Sequence, residues 1–285
     1  MGLRLIAQRR EAPNRLRIIA TARCASQLAA IRAAGAIPFA CDLGDRRTLK
    51  RLGPLSRWLV HLAPPPGEGR TDRHTRNLVA TCARAASARA LRGARSRWSY
   101  VSTTGVYGDC AGALIDETQP ARPSNARALR RTDAEQTLRT WGSRTQSRTA
   151  LLRAPGIYAE DRLPTERLKQ GLPALIESDD VHTNHIHADD LAHAAWTALW
   201  RARAGRAFNI SDDTQLKMGD YFDVIADAMH LPRPPRLPRS DVAKRVSPMM
   251  LSFMQESRRL SNDRMKRELR MRLRTPDIHA LLALL

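Results

Sequence analysis

The stretch Trp98–Asp109, WSYVSTTGVYGD, constrains this chain more than any other. Tyr100 and Val101 give Ser99–Ser102 the side chains of a short buried strand. That strand runs into three hydroxyls, Ser102, Thr103 and Thr104, and then a Gly105-Val106-Tyr107-Gly108 turn. A buried parallel strand ending in hydroxyls and glycines is where α/β proteins seat ligands, in the crevice at the carboxyl edge of the sheet. Taken alone, the same residues also describe a plain strand end capped by small polar side chains. The rest of the chain has to decide between the two.

At 285 residues there is enough chain for one large domain or one and a half. No apolar run approaches the ~20 residues that span a bilayer. The opening MGLRLIAQRR lacks the apolar core and small-residue cleavage site of a signal peptide. Cys24, Cys41, Cys82 and Cys110 stand far apart without a CxxC pair, which reads as reduced thiols and not as a disulfide frame or a metal site. The expectation is a cytoplasmic protein with no membrane partner.

A net charge of +20 raises the question of nucleic acid. Only five of the 48 basic residues are lysines, however, and the arginines are spread from Arg4 to Arg274 with no aromatic-interleaved patch along the sequence. That distribution fits an Arg- and Ala-rich composition as well as a function. No specific nucleic-acid partner is expected, only nonspecific adhesion at low salt.

Along the chain, strand-like and helix-like stretches alternate. Leu16–Arg23 reads as a strand, Gln27–Ala34 as a helix closed by Gly35, and Ala36–Ala40 as a strand. Arg57–Leu62 is a further buried strand, and Asp72–Ala90 a helix with Leu78, Val79, Cys82 and Ala86 on one face. Leu151–Tyr158 and Ala207–Asp213 supply later strands with their exit turns, and Met218–Met229 a helix. Leu231–Pro238 reads as a stiff polyproline connector. Ser247–Gln255 and Arg264–Leu269 are helical, and Asp277–Leu285 is an apolar helix suited to docking or to a homodimer contact.

STTGVYGD is followed in order by IDET (Ile115–Thr118), Ala134-Glu135, LLRAPGIYAEDR (Leu151–Arg162), HIHADDLAHAAWTAL (His185–Leu199) and FNISDD (Phe208–Asp213). This ordered set resembles the extended and atypical short-chain dehydrogenase/reductase superfamily, the NAD-dependent epimerase/dehydratase group. The resemblance covers nearly the whole chain and is nearest to the short members described as nucleoside-diphosphate-sugar epimerase-like. It implies an α/β fold: a Rossmann-like doubly wound parallel sheet in residues 1–155 and a small α+β substrate region in 156–285, with 184–213 packing back on the sheet. It also implies NADP or NAD as cofactor and a small-molecule substrate, sugar-nucleotide-like or carbonyl.

The resemblance carries residue roles with it. Gly2 matches the last glycine of the dinucleotide fingerprint, whose first strand and earlier glycines would precede Met1. A central strand left out would strand backbone groups at ~1–3 kcal/mol each, so the expectation is that the coding sequence starts upstream. Arg23, 21 positions after Gly2, matches the ribose-reading position, where arginine suits the NADP 2′-phosphate. Asp42 and Leu43 match the residues near the adenine, and Ala63 and Pro64 those along the diphosphate. Ser102 and Pro155-Gly156-Ile157 match those beside the nicotinamide. Thr103 and Thr104 match the hydroxyls that meet the substrate, and Ser261-Asn262 those that recognise or wall it. Arg162 and Arg167 are, by their charge, candidates to face an acidic substrate, with surface arginine as the default reading in this Arg-rich chain.

One departure from the family is sharp. Aligned on Ala134-Glu135, the positions of its tyrosine general acid/base and its lysine hold Arg127 and Arg131. Arginine keeps its proton at any working pH, so Arg127 cannot shuttle one, whereas Arg131 still offers charge and donors to a ribose or phosphate. No tyrosine or lysine occurs between Gly108 and Leu151. The remaining groups able to move a proton are Tyr107, Tyr158 and His187, each of which has packing or hydrogen bonding as its plainer role. The candidate catalytic groups are therefore Thr103 and Tyr107, with Tyr158 and His187 toward the substrate. Asp189 or Asp190 is expected to cap the helix that follows His187. With the proton-transfer pair missing, a non-catalytic NAD(P)-binding regulator or scaffold is the alternative to an enzyme.

Overall fold

The computed structural model describes residues 1–10, 16–55 and 57–285. Helix α1 (Gly2–Arg10) leads to strand β1 (Ile19–Ala22), helix α2 (Ala25–Ala33) and strand β2 (Ile37–Ala40). Strand β3 (Trp58–His61), helix α3 (Arg73–Leu91) and strand β4 (Arg97–Thr103) follow. Helix α4 (Ala126–Arg144), β5 (Arg148–Ala154), β6 (Gly156–Tyr158) and β7 (His185–His187) come next, then α5 (Ala188–Arg201), β8 (Arg206–Asn209) and α6 (Met218–Ala228).

Strands β8, β5, β4 and β3 lie side by side in that order, all parallel. β4 and β5 are buried on both faces, which is why both read as near-continuous buried runs and not as alternating ones. β1 and β2 form a separate parallel ladder. Helix α1 joins the two sheets. Its Leu5 packs with Val101, Leu152 and Phe208 of the four-stranded sheet, while Ile6 packs with Ile31, Ala36 and the side chains of β1.

Two helical layers cover the larger sheet. On one face α5 presents Ala192, Ala194, Ala195 and Ala198, whose small side chains bring its backbone close enough for Ser99 Oγ to donate to Ala195 O at 2.7 Å. On the other face α3 and α4 bury Leu78, Cys82, Leu138 and Trp141 against Trp98, Tyr100 and Leu151. Among the described residues no helix is long and apolar enough to cross a membrane.

The later part of the chain builds its own core, in which Tyr158, Leu168 and Leu175 pack with Tyr221, Phe222, Ile225 and Val242. The helix Ile278–Leu282 docks Ile278 and Leu281 into it. Two expectations change here. The segment expected as a polyproline connector contributes Arg236–Leu237 to a parallel ladder with Ala174–Leu175. The prolines keep the backbone extended, and the N–H and C=O groups of Arg236 and Leu237 remain free to pair. Helix α5 is capped by neither Asp189 nor Asp190: His187 is its N-cap, with Nδ1 accepting from Asp189 N at 3.3 Å. Asp190 turns away and accepts from the backbone N–H groups of Arg274 and Thr275, both at 3.0 Å.

Candidate functional site

Within each ladder the strands are parallel, so their exit turns lie side by side. Arg23 follows β1 and is exposed, and Asp42-Leu43 follows β2. Asp42 Oδ1 accepts from Gly44 N at 2.8 Å, and Asn77 of α3 donates to Leu43 O at 2.9 Å, so this turn is held against α3. Ala63-Pro64 follows β3, and His74 Nδ1 meets Pro64 O at 3.1 Å. The amino end of α1 sits over this turn, with a side chain at Gly2 meeting only Leu62. Pro155-Gly156-Ile157 follows β5, and a Cβ at Gly156 would lie 2.9 Å from His185 Cδ2, so the close pairing of β6 with β7 requires glycine there.

At the end of β4 the three hydroxyls differ. Thr103 is half-buried and its Oγ1 accepts from Gly105 N at 3.2 Å, which leaves its own proton to donate. Thr104 is buried. Ser102 Oγ is buried without a hydrogen-bond partner among the described residues. Arg131 reaches this strand from α4, donating to Tyr100 Oη at 3.0 Å and to Val101 O at 2.8 Å. Arg127, one turn earlier, lies over the Phe253 ring at 4.5 Å.

Tyr107 is not with these groups. It is fully buried, its hydroxyl donates to Asn209 Oδ1 at 2.6 Å, and Arg153 lies over its ring at 4.7 Å. Burial pushes its pKa up to about 12. The short turn Thr104–Tyr107 turns both Val106 and Tyr107 inward, which removes Tyr107 from any ligand's reach. Arg162 is exposed.

Tyr158 and His187 meet edge to face, with ring centroids 5.4 Å apart, and both are buried. Beside them stand two groups the sequence did not single out, His185 and Asp212. Burial pushes the Asp212 carboxyl up to about 7, against the hydrogen bond its Oδ1 accepts from Thr214 N at 3.0 Å. Burial and this carboxyl together hold the Tyr158 hydroxyl well above the ordinary tyrosine pKa. His185 stacks on Tyr221 at 3.7 Å, and burial pushes its pKa down to about 3. Their only trace in the sequence was polar residues within buried stretches, in HIHADD and FNISDD.

Arg4 ties α1 to this region, donating to Asp189 Oδ2 at 3.1 Å and to Asp161 Oδ1 at 2.9 Å. His187 Nε2 lies 3.6 Å from Glu160 Oε1. The amino end of α1 is thereby fixed beside the exit of β6 and the start of α5.

The model of the NAD dependent epimerase/dehydratase family matches residues 1–211. The chain belongs to that family. Over 130 residues it is 23% identical to human dTDP-D-glucose 4,6-dehydratase, a match covering 43% of this chain and 37% of that protein. The chain thus matches little more than a third of that relative's length. A conserved protein of unknown function from Silicibacter pomeroyi has the same fold with 31% identity and a TM-score of 0.78, covering 98% of this chain and 92% of that one. UDP-glucose 4-epimerase from Thermotoga maritima, solved with UDP-glucose, shares the fold at 16% identity and a TM-score of 0.77, covering 99% and 93%. This member of the epimerase/dehydratase family carries Arg127 and Arg131 in α4.

Proposed function

We propose that this protein is a nicotinamide-dependent oxidoreductase, epimerase or dehydratase acting on a sugar-nucleotide-like or carbonyl substrate. The observation that carries this reading is that the exits of both parallel ladders are held together by α3, through Asn77 on Leu43 and His74 on Pro64, with the hydroxyls of β4 and the exposed Arg23 on the same strand ends. The residues present fit the cofactor. Arg23 is exposed, the first turn of α1 carries no acidic side chain, and Ser102 keeps an unpartnered buried hydroxyl at the end of β4. Arg23 would take the ribose end, where its fork of donors suits a phosphate and so favours NADP over NAD. Gly2, Asp42-Leu43 and Ala63-Pro64 would line the rest, with Pro155-Gly156-Ile157 against the ring. When bound, the nicotinamide supplies and takes back a hydride. The chain's own part is to orient the substrate oxygen through Thr103, whose proton is free to donate.

A second reading, a non-catalytic NAD(P)-binding protein, draws on a specific observation. At the positions that the sequence resemblance aligns with the family's proton-transfer pair, Arg127 lies over Phe253 and Arg131 donates to Tyr100 and Val101. The two readings separate in one experiment. The protein is titrated with NADPH and with NADH by fluorescence, then offered a panel of carbonyls and sugar nucleotides. Binding with turnover supports the enzyme, and binding without turnover supports the regulator. No binding of either nucleotide removes both.

A further inference from the structure

The edge of the sheet opposite the strand exits assembles what the sequence keeps apart. Trp58, Arg97 and Arg148, the first residues of β3, β4 and β5, are register partners across the three strands, so they form one row on one face. That face is the one α5 covers, and α5 adds Trp196 and Trp200 at its far end. Trp58 and Trp200 meet edge to face at 4.9 Å, and Trp200 meets Trp196 at 6.0 Å. Each indole carries a guanidinium: Arg57 over Trp58 at 5.2 Å, Arg97 over Trp200 at 5.2 Å and Arg9 over Trp196 at 5.3 Å.

None of Arg9, Arg57, Arg97 and Arg148 forms an ion pair among the described residues, although arginines elsewhere do, as Arg206 with Glu268 and Arg76 with Asp133. Trp58 is 40% exposed, an unusual position for an indole at the first residue of a strand. The row lies ~20 Å from Thr103, the length of β4, and so is separate from the candidate site.

We propose that this edge binds single-stranded nucleic acid, with phosphates on Arg57, Arg97 and Arg148 and a base stacked on Trp58. Unpaired guanidiniums alternating with aromatic rings form a surface that tracks a phosphate backbone and stacks its bases. The net charge of +20 supplies the long-range attraction. A duplex would hide its bases from Trp58. A lipid surface calls for apolar side chains that stand proud, whereas two of these three indoles are half-buried against one another.

The test titrates the whole protein with a labelled oligothymidylate, following anisotropy and tryptophan quenching at two salt concentrations. Trp58→Ala is expected to weaken binding by about 5- to 150-fold, with Trp58→Phe restoring most of it. Arg97→Gln is expected to flatten the salt dependence by about 0.7 in slope. Lys244→Gln, an exposed charge far along the chain, leaves the quenching unchanged. The proposal is overturned if Trp58→Ala binds like the parent, or if heparin, which has charge but no bases, quenches as strongly. Tighter binding to phosphatidylserine vesicles than to the oligonucleotide also overturns it. So does a dimer in size exclusion that Trp58→Ala dissociates, since a second copy would then be what covers this edge.

Discussion

The Arg153 guanidinium and the Glu135 carboxylate form a two-bonded pair inside the protein, Nε to Oε1 at 3.1 Å and Nη2 to Oε2 at 2.8 Å. Both are buried, Arg153 on the central strand β5 and Glu135 on α4. The pair fixes α4 against the sheet, and with Tyr107 over the guanidinium and Asn209 on the Tyr107 hydroxyl it knits α4, β5, the turn after β4 and β8. Glu135→Gln would leave a buried guanidinium without its counter-charge and is expected to destabilise the fold by about 3–5 kcal/mol. The double change Glu135→Leu with Arg153→Met removes both charges and should cost clearly less than the single one. Urea denaturation of the three proteins checks this, and equal losses in single and double variants would count against the pair as the cause.

Arg23 is exposed at the exit of β1 without a partner among the described residues, and its role is read by discrimination between cofactors. Arg23→Ala is expected to weaken NADPH about tenfold while leaving NADH within about twofold, because a charged hydrogen bond is lost only in the first case. Parallel fluorescence titrations decide it. An equal loss for both nucleotides would show that Arg23 does not read the 2′-phosphate.

How much of this was legible in the sequence depended on whether a residue's partners were near it in the chain. β4 and its hydroxyls were legible because Trp98–Gly108 carries strand, caps and turn in one run. The inward turn of Tyr107 was not, because its partner Asn209 lies 102 positions later. Packing from elsewhere in the chain hid Asp212 as well, whose raised pKa comes from burial that no local pattern reports. The arginines looked scattered along the chain, yet parallel register brings Arg97 and Arg148 side by side and lays Trp58 next to them. Cap chemistry also misled: ADD after His187 looks like an N-cap, but the tertiary demand of the Arg274-Thr275 backbone claims Asp190.

Thr103 separates an enzyme from a binding protein. If its hydroxyl donates to a substrate oxygen, Thr103→Val should lower kcat by about 100-fold or more with little change in cofactor affinity, and Thr103→Ser should recover most of it. Its bond to Gly105 N makes a loss of about 1 kcal/mol in stability expected alongside. A variant that melts lower yet turns over at the parental rate would confine Thr103 to capping the turn.

Asp212 gives the protein a dependence on pH that runs against the usual direction for a carboxyl. Its folded pKa is raised from 3.8 to about 7, so between those values the folded chain holds a proton that the unfolded chain has released. Stability from this group is therefore complete at low pH and is lost as pH rises through that window, a loss on the order of 4 kcal/mol. His61 and His185 act oppositely: their folded values of about 3 keep them neutral while unfolded imidazoles protonate below 6.5, so their contribution fades as pH falls. The histidines are common to parent and to Asp212→Asn, and cancel in the difference between them. Asp212→Asn should match the parent near pH 4 and become progressively more stable than it up to about pH 8, where the parent must hold a buried carboxylate. Urea melts of both proteins at matched pH trace the difference, and a curve that stays flat across that range would mean Asp212 is already ionised in the folded protein at low pH.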